Sequence, residues 1–430
     1  MIKEIKINKN KRLKGKIYLP ADKSISHRSI IFASIGEGKS KINNLLEAKD
    51  VKKTLNAFKS MGINIKKDNG IYILKGTGID GLNSPQNVIY CGNSGTTMRL
   101  LSGLFAGSGV DIALDGDNSL RKRPMDRIIK PLKKMGAKIT GKDNLYCPLK
   151  IKPAKLNSIN YKLPVASAQV KSALLLANLY TNGTMKIEEP KISRNHTELL
   201  MKQLGLDIEF DGQSIVFNSE NIKIPNFEYN IPGDFSQAAF FITAALLIPN
   251  SEIVIKNVNL NPTRTGFLDV VKEMGANIEI IDVQKIDEEP VGSFLVKHSR
   301  LKGIKVDEKL IPKMIDEIPL IAILALKAQG ETEVRSASEL RVKESDRLLV
   351  LDKVFKILNL DYEIFNDGFK IEGPQSIQNN RQIDSFNDHR MAMAFSILAL
   401  ISENGLKIEN IQCINNSFPN FYKILDEIIK

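Results

Sequence analysis

Met61-Gly62-Ile63-Asn64-Ile65 returns along the chain as Met135-Gly136-Ala137-Lys138-Ile139, Leu204-Gly205-Leu206-Asp207-Ile208 and Met274-Gly275-Ala276-Asn277-Ile278. The glycines lie 136 − 62 = 74, 205 − 136 = 69 and 275 − 205 = 70 residues apart. Each follows an amphipathic stretch such as Ile128-Ile129-Lys130-Pro131-Leu132-Lys133-Lys134 and precedes a short alternating one. That order reads as a helix, a left-handed stop and a strand. Leu358-Asn359-Leu360 is a fifth, degenerate copy with Asn in the glycine's place.

A second element keeps the same phase. Small polar or charged residues open stretches too apolar all round to lie on a surface, beginning near Ser24, Ser94, Ser167, Asp234, Asp316 and Asp388. Six such helices in 430 residues give about 72 residues per unit, so both elements describe one repeat of buried helix, strands and surface helix. This period is too long for a thin solenoid, and three units can pack as one domain. The expected fold is α/β (α+β), with two similar domains of three units each. Leu19-Pro20 and Ile231-Pro232-Gly233 are turn-forming. They divide the chain into 1-20 + 234-430 and 21-233, with the N-terminal strand assigned to the domain of the second half.

Composition narrows the function classes. Apolar residues make up 43% of the chain, which excludes disorder, and Lys plus Arg exceed Asp plus Glu by 61 − 49 = 12. Lysine is spread throughout without a basic stripe interleaved with aromatics, so no nucleic-acid partner is expected. Small anions suit the balance. Cys91, Cys147 and Cys413 form no CxxC, and His27, His196, His298 and His389 show no paired-ligand spacing, so neither a zinc site nor a disulfide framework is expected. Met1-Ile2-Lys3-Glu4-Ile5-Lys6 lacks an apolar signal core, and Ala238 to Pro249 falls short of the roughly 18 residues of a membrane span. A reducing cytoplasm without membrane partners is the expectation. Gly36-Glu37-Gly38-Lys39-Ser40 fails as a P-loop, because Ala33 stands where the first glycine belongs and a strand-like stretch follows.

Helices that open with Ser, Thr, Asn or Asp present free backbone N–H groups and a positive dipole end, which attract anions. These residues are also ordinary N-caps. Their company shifts the balance: Lys23 and Arg28, Arg99, Arg121-Lys122-Arg123, Gln169 and Lys171, Ser193-Arg194, then Asp316-Glu317, Arg341-Val342-Lys343-Glu344-Ser345-Asp346-Arg347 and Asp388-His389-Arg390. If Lys343 and Arg347 shared one helix face at i,i+4 they would repel, which argues for an anion nearby.

Leu19-Pro20-Ala21-Asp22-Lys23-Ser24-Ile25-Ser26-His27-Arg28, Gly92-Asn93-Ser94-Gly95-Thr96-Thr97-Met98-Arg99, Arg121-Lys122-Arg123-Pro124, the Arg341 to Arg347 run and Asp388-His389-Arg390-Met391-Ala392-Met393 resemble the signature segments of the EPSP synthases, in the right order from about residue 3 to the C-terminus. The resemblance implies two domains of three βαβαββ units each, like an inverse α/β barrel, with a cleft between them. It implies transfer of the enolpyruvyl group of phosphoenolpyruvate to the 5-hydroxyl of shikimate 3-phosphate with release of phosphate, a step of the shikimate pathway towards chorismate and the aromatic amino acids. No metal or cofactor is demanded, and a cytoplasmic monomer is expected.

Carried over residue by residue, Lys23 touches both substrates. Ser24, Arg28, Ser167, Gln169, Ser193, Asp316 and Lys343 hold shikimate 3-phosphate. Gly95, Arg123, Gln169, Arg347 and Arg390 hold phosphoenolpyruvate, the arginines suiting bidentate contacts to carboxylate and phosphate. Asp316 resembles the proton acceptor at the 5-hydroxyl and Glu344 the group that handles the methylene proton, so Asp316, Glu344 and Lys23 are the catalytic set. Glycine at 95 goes in that family with sensitivity to glyphosate, an anion competing for the phosphoenolpyruvate place. Four departures leave details of substrate binding open: Ala168 replaces a serine, His196 a tyrosine, Glu339 an asparagine and Asn416 a lysine of some members. Lys423 or a site arginine is expected to supply the charge that Asn416 lacks. The competing readings are a UDP-N-acetylglucosamine enolpyruvyl transferase, whose loop cysteine has no match at Cys91 or Cys147, and a non-catalytic anion-binding repeat protein.

Overall fold

The computed structural model describes residues 1–5, 11–377 and 381–430. Residues 6–10, in the stretch expected as 1-20, and residues 378–380, in the stretch expected as 234-430, lie outside the described residues.

The repeated glycines end their helices in the left-handed region, at φ +93° for Gly62, +101° for Gly136, +77° for Gly205 and +92° for Gly275, and Asn359 does the same at +51°. Gly62 illustrates the stop. Its amide donates to Lys59 O at 3.1 Å and the next amide, of Ile63, to Phe58 O at 3.1 Å, which satisfies carbonyls left over by the Lys49–Ser60 helix.

Two compact units form: Ala21–Ile231 with Ile286–Glu289, and Met1–Pro20 with Pro232–Lys285 and Pro290–Lys430. Among the described residues each unit holds three sheets. The pattern is plainest in the middle of the Ala21–Ile231 unit: strand Ile89–Tyr90, helix Gly95–Gly107, strand Ile112–Asp115, helix Asp126–Lys134, then strands Lys138–Lys142 and Tyr146–Lys152. The first two strands pair parallel, as a helical crossover requires, and the last two add antiparallel. Residues 160–218 repeat this order. Residues 23–77 repeat it without a leading strand, which Glu228–Asn230 supplies by pairing parallel with Glu37–Asn43.

The Pro232–Lys430 unit borrows strands in the same way. Lys14–Tyr18 pairs parallel with Glu252–Asn259, and Ile2–Ile5 pairs antiparallel with Leu406–Glu409. In the repeat around residues 318–373 the leading strand shrinks to parallel bridges between Lys302 and Gln329 and between Lys305 and Glu333.

Each unit has its own core, built on its three buried helices: Lys23–Ile35, Gly95–Gly107 and Ala168–Asn178 in one, Phe235–Leu247, Ile318–Ala325 and His389–Leu400 in the other. Fully burying a Leu, Ile or Phe side chain stabilises by roughly 1.5–3 kcal/mol, so helices buried on every face hold the units together. One close approach matters for the site. A Cβ on Gly103 would stand 2.1 Å from Ala173 O, so only glycine lets the Gly95–Gly107 and Ala168–Asn178 helices touch backbone to backbone and bring their starts together.

Candidate functional site

Four of the six buried helices carry the expected cap. Ser94 accepts from Thr97 N at 3.2 Å, Ser167 from Val170 N at 3.4 Å, Asp234 from Ser236 N at 2.7 Å and Asp388 from Arg390 N at 2.9 Å. The other two differ. Asp22, not Ser24, caps the first helix by accepting from Ile25 N at 2.9 Å, so Ser24 lies inside the first turn, half-buried. Asp316 precedes the Ile318–Ala325 helix by two residues, and Glu317 takes the cap position without a side-chain cap bond.

In the Ala21–Ile231 unit these starts converge. Lys23 Nζ pairs with Asp50 Oδ2 at 3.1 Å, and Thr97 Oγ1 donates to Asp50 O at 3.4 Å. Arg28 is buried and donates to Ser24 O at 3.0 Å, Thr197 Oγ1 at 2.6 Å and Ser172 Oγ at 2.7 Å. Gln169 donates to Thr96 Oγ1 at 3.0 Å and accepts from Arg99 Nη1 at 2.5 Å, while Arg99 Nη2 donates to Pro124 O at 3.2 Å. Arg123 holds the Asn93 side chain and backbone and donates to Ser119 Oγ at 3.2 Å. A Cβ on Gly95 would lie 3.4 Å from Arg123 Nη1 and 3.5 Å from Arg99 Nη1, so two guanidiniums flank this glycine. Ser193 donates from Oγ to Glu189, beside Lys171.

Cations gathered this closely attract anions. Burial pulls the Arg28 pKa down to about 10; Glu198 and Asp22 oppose this, and the like charge of Arg194 adds to it. Burial, then Lys23 and Arg28, hold His27 well below the ordinary imidazole value, and its Nδ1 contacts Thr54 Oγ1 at 2.7 Å. His27 therefore stays neutral.

The Pro232–Lys430 unit gathers a second cluster around Arg347, whose side chain is 1% exposed. Its Nε donates to Asp388 Oδ2 at 2.8 Å, its Nη2 to Glu344 Oε2 at 2.6 Å and its Nη1 to Asp316 Oδ1 at 3.2 Å. Burial works against this charge, but Asp388, Glu344 and Asp316 together raise the guanidinium pKa. Lys343 Nζ lies 3.7 Å from Asp316 Oδ1 and Arg390 Nη2 3.6 Å from Asp316 Oδ2. Arg390 also meets buried Glu317 at 3.4 Å, which Arg264 and Ser236 share. The expected repulsion between Lys343 and Arg347 does not arise. A 3-10 turn over Ser338–Val342 ends before Lys343, Asp346 caps a new helix at Arg347, and Asp316 pairs with both cations.

The structure thus joins Lys23, Ser24, Arg28, Gly95, Arg123, Ser167, Gln169 and Ser193 within one unit, and Asp316, Lys343, Glu344, Arg347 and Arg390 within the other. Of the departures, Ala168 opens its helix, His196 pairs with Glu289 at 2.6 Å, Glu339 lies in the 3-10 turn, and half-buried Asn416 ends another over Ile411–Asn416. Lys423 is exposed on the Phe421–Ile428 helix. Sequence reasoning passed over Asp50 and Glu189, which anchor Lys23 and Ser193 from within their own repeats, and Thr197, which reaches Arg28 from 169 residues away. It named Lys171, Arg194 and Asp388 without seeing their work.

Chemically, the first cluster offers cationic and amide donors to anions. The second offers two part-exposed carboxylates, Asp316 and Glu344, among cations, the equipment for moving protons beside a negative substrate.

Comparison with known proteins agrees with this chemistry. The family model described as EPSP synthase (3-phosphoshikimate 1-carboxyvinyltransferase) matches residues 7–425. A 3-phosphoshikimate 1-carboxyvinyltransferase of Thermodesulfovibrio yellowstonii is 47% identical over 427 residues, 99% of each chain, and one of Bacillus pumilus is 42% identical over 99% of this chain and 100% of its own. The solved EPSP synthase of Acinetobacter baumannii superposes with a TM-score of 0.87 at 38% identity, covering 100% of this chain and 99% of its own. An enolpyruvyl transferase of Streptomyces tendae, 15% identical with a TM-score of 0.76 over 99% of this chain and 97% of its own, shares the fold.

Proposed function

The chain belongs to the EPSP synthase family, and from that premise we propose how its two clusters divide one reaction. The enzyme is a 3-phosphoshikimate 1-carboxyvinyltransferase: it moves the enolpyruvyl group of phosphoenolpyruvate onto the 5-hydroxyl of shikimate 3-phosphate and releases phosphate. For the hydroxyl to add across the double bond its proton must leave, and the methylene carbon must gain one. Phosphate then departs as that carbon gives up a proton, which restores the double bond.

In this reading Asp316 accepts the hydroxyl proton and Glu344 serves the methylene carbon. Arg347 holds both carboxylates in place, and Arg347, Arg390, Arg123, Gly95 and Gln169 hold phosphoenolpyruvate, the arginines taking its carboxylate and phosphate. Ser24, Arg28, Ser167, Gln169, Ser193 and Lys343 hold shikimate 3-phosphate, Arg194 adds a cation beside Arg28, and Lys23, steadied by Asp50, touches both substrates. The observation that carries the reading is Arg347 bridging Asp316 and Glu344 at 3.2 and 2.6 Å. Proton-transfer groups are typically worth about 10²–10⁴-fold, so Asp316→Asn and Glu344→Gln should each lower kcat by that much with the thermal midpoint retained. Near-normal turnover of a folded variant would strike that residue from the mechanism.

The UDP-N-acetylglucosamine alternative is not favoured, since the matched relatives carry the other activity and Cys91, Cys147 and Cys413 are all buried. No described helix is long and apolar enough to cross a membrane. A cytoplasmic monomer completes the proposal, and light scattering should return one chain of 47.9 kDa.

A further inference from the structure

Lys171 lies within the Ala168–Asn178 helix with 1% of its side chain exposed, where an ammonium needs compensation. Two carboxylates equally shielded from water provide it, Glu189 Oε1 at 2.6 Å and Glu198 Oε1 at 2.7 Å. Among the described residues neither Glu198 oxygen has a donor in hydrogen-bonding geometry, so the nearby charges of Lys171 and Arg28 are what offset it. Glu189 also accepts from Ser193 Oγ and, at 3.4 Å, from Ser193 N, while Lys171 Nζ donates to Ser193 O at 3.4 Å. The Ser193-Arg194 loop is therefore gripped at three atoms of Ser193. Ser172, the next residue after Lys171, and Thr197, the residue before Glu198, both accept from Arg28 and contact each other at 2.7 Å. Two cations, Lys171 and Arg28, and two carboxylates, Glu189 and Glu198, thus make a charge-balanced buried knot that ties three helices and one loop.

We propose that Lys171 is a positioning residue for shikimate 3-phosphate: by neutralising Glu189 and Glu198 it fixes the Ser193-Arg194 loop and Arg28 to receive the phosphorylated ring. This rests on the reading of Ser193 and Arg28 as ligands of that substrate. A pair that served stability alone could be exchanged for neutral groups without touching affinity.

Lys171→Met alone strands two carboxylates, so the working variant is Lys171→Met/Glu198→Gln, which removes one charge of each sign. Steady-state phosphate release should show the KM for shikimate 3-phosphate raised at least tenfold, with the KM for phosphoenolpyruvate within twofold and kcat within threefold. Lys171→Arg should recover most of the lost affinity. If the double variant does not fold, Glu189→Gln takes its place, with a three- to tenfold rise in the same KM alone. Unchanged KM for shikimate 3-phosphate, or both KM values rising together, overturns the proposal. The unmodified chain is assayed alongside: no turnover there would remove the functional reading itself, whereas normal turnover with an unaffected variant removes Lys171 only.

Discussion

Arg347→Lys keeps a charge and discards a shape. The guanidinium spends its nitrogens on three carboxylates, Asp388 at 2.8 Å, Glu344 at 2.6 Å and Asp316 at 3.2 Å. A lysine ammonium is a point donor on a flexible stem and cannot span all three. Asp388 is fully buried, so the ammonium should stay with it, and the bonds to Glu344 and Asp316 are lost. Hydrogen bonds to charged groups contribute about 1.5–3 kcal/mol each, so two amount to about 3–6 kcal/mol gross. Glu344 and Asp316 are 19% and 13% exposed, and water recovers part of that loss. What remains falls mainly on catalysis, because the two carboxylates are no longer held in place, and at about 1.4 kcal/mol per tenfold kcat/KM should drop at least about a hundredfold. Urea unfolding should show a loss of stability smaller than that gross figure, since the buried Asp388 pair survives and water reaches the other two carboxylates. Two results would refute this reasoning: kcat/KM within threefold of the unmodified chain, or a collapse of the urea midpoint that accounts for the lost activity.

His27 is held neutral by burial and by Lys23 and Arg28, while in the unfolded chain it takes a proton below about pH 6.5, so its contribution to stability is full above that pH and lost as pH falls. At pH 5 it should add about 1.4 kcal/mol per pH unit to the slope of unfolding free energy, and a slope unchanged in His27→Asn would contradict this. Burial raises the Cys91 and Cys147 thiols and pushes Cys413 up to about 12. None should react with Ellman's reagent in the native protein at pH 8 and all three should after unfolding, so a fast native equivalent would count against the buried placement. Gly95→Ala places a methyl at ordinary contact distance from Arg123 and Arg99, so folding should hold. The inhibition constant for glyphosate should rise more than the KM for phosphoenolpyruvate, and equal losses would contradict the steric account.

Much of the fold was legible because its signals are local. Gly62, Gly136, Gly205 and Gly275 end helices through a backbone conformation that other residues resist, and the helix from Phe235 to Leu247 is apolar on every side and can only be buried. The borrowed strands were harder to read. Glu228–Asn230 joins Glu37–Asn43 across about half the chain, and nothing in three residues announces that partner. At the site, residue types along the motifs pointed to anions and proton transfer, but folding decides which partners set the geometry: Thr197 reaches Arg28 from 169 residues away, Asp50 reaches Lys23 from the next helix of the same repeat, and Glu189 lies only four residues from Ser193, a spacing that does not announce the bond. The charged run ending at Arg347 misled for the same reason. Its apparent repulsion is cancelled by Asp316, from the start of the same repeat, and by Asp388, from the start of the next.

Mixing the purified protein with shikimate 3-phosphate and phosphoenolpyruvate, and following inorganic phosphate together with the enolpyruvyl ether by phosphorus and proton NMR, tests the central claim most directly. One phosphate should appear for each ether formed, with none from either substrate alone and at least about a hundredfold less from Asp316→Asn. Phosphate released from phosphoenolpyruvate without shikimate 3-phosphate, or no ether at any concentration of the pair, would contradict it.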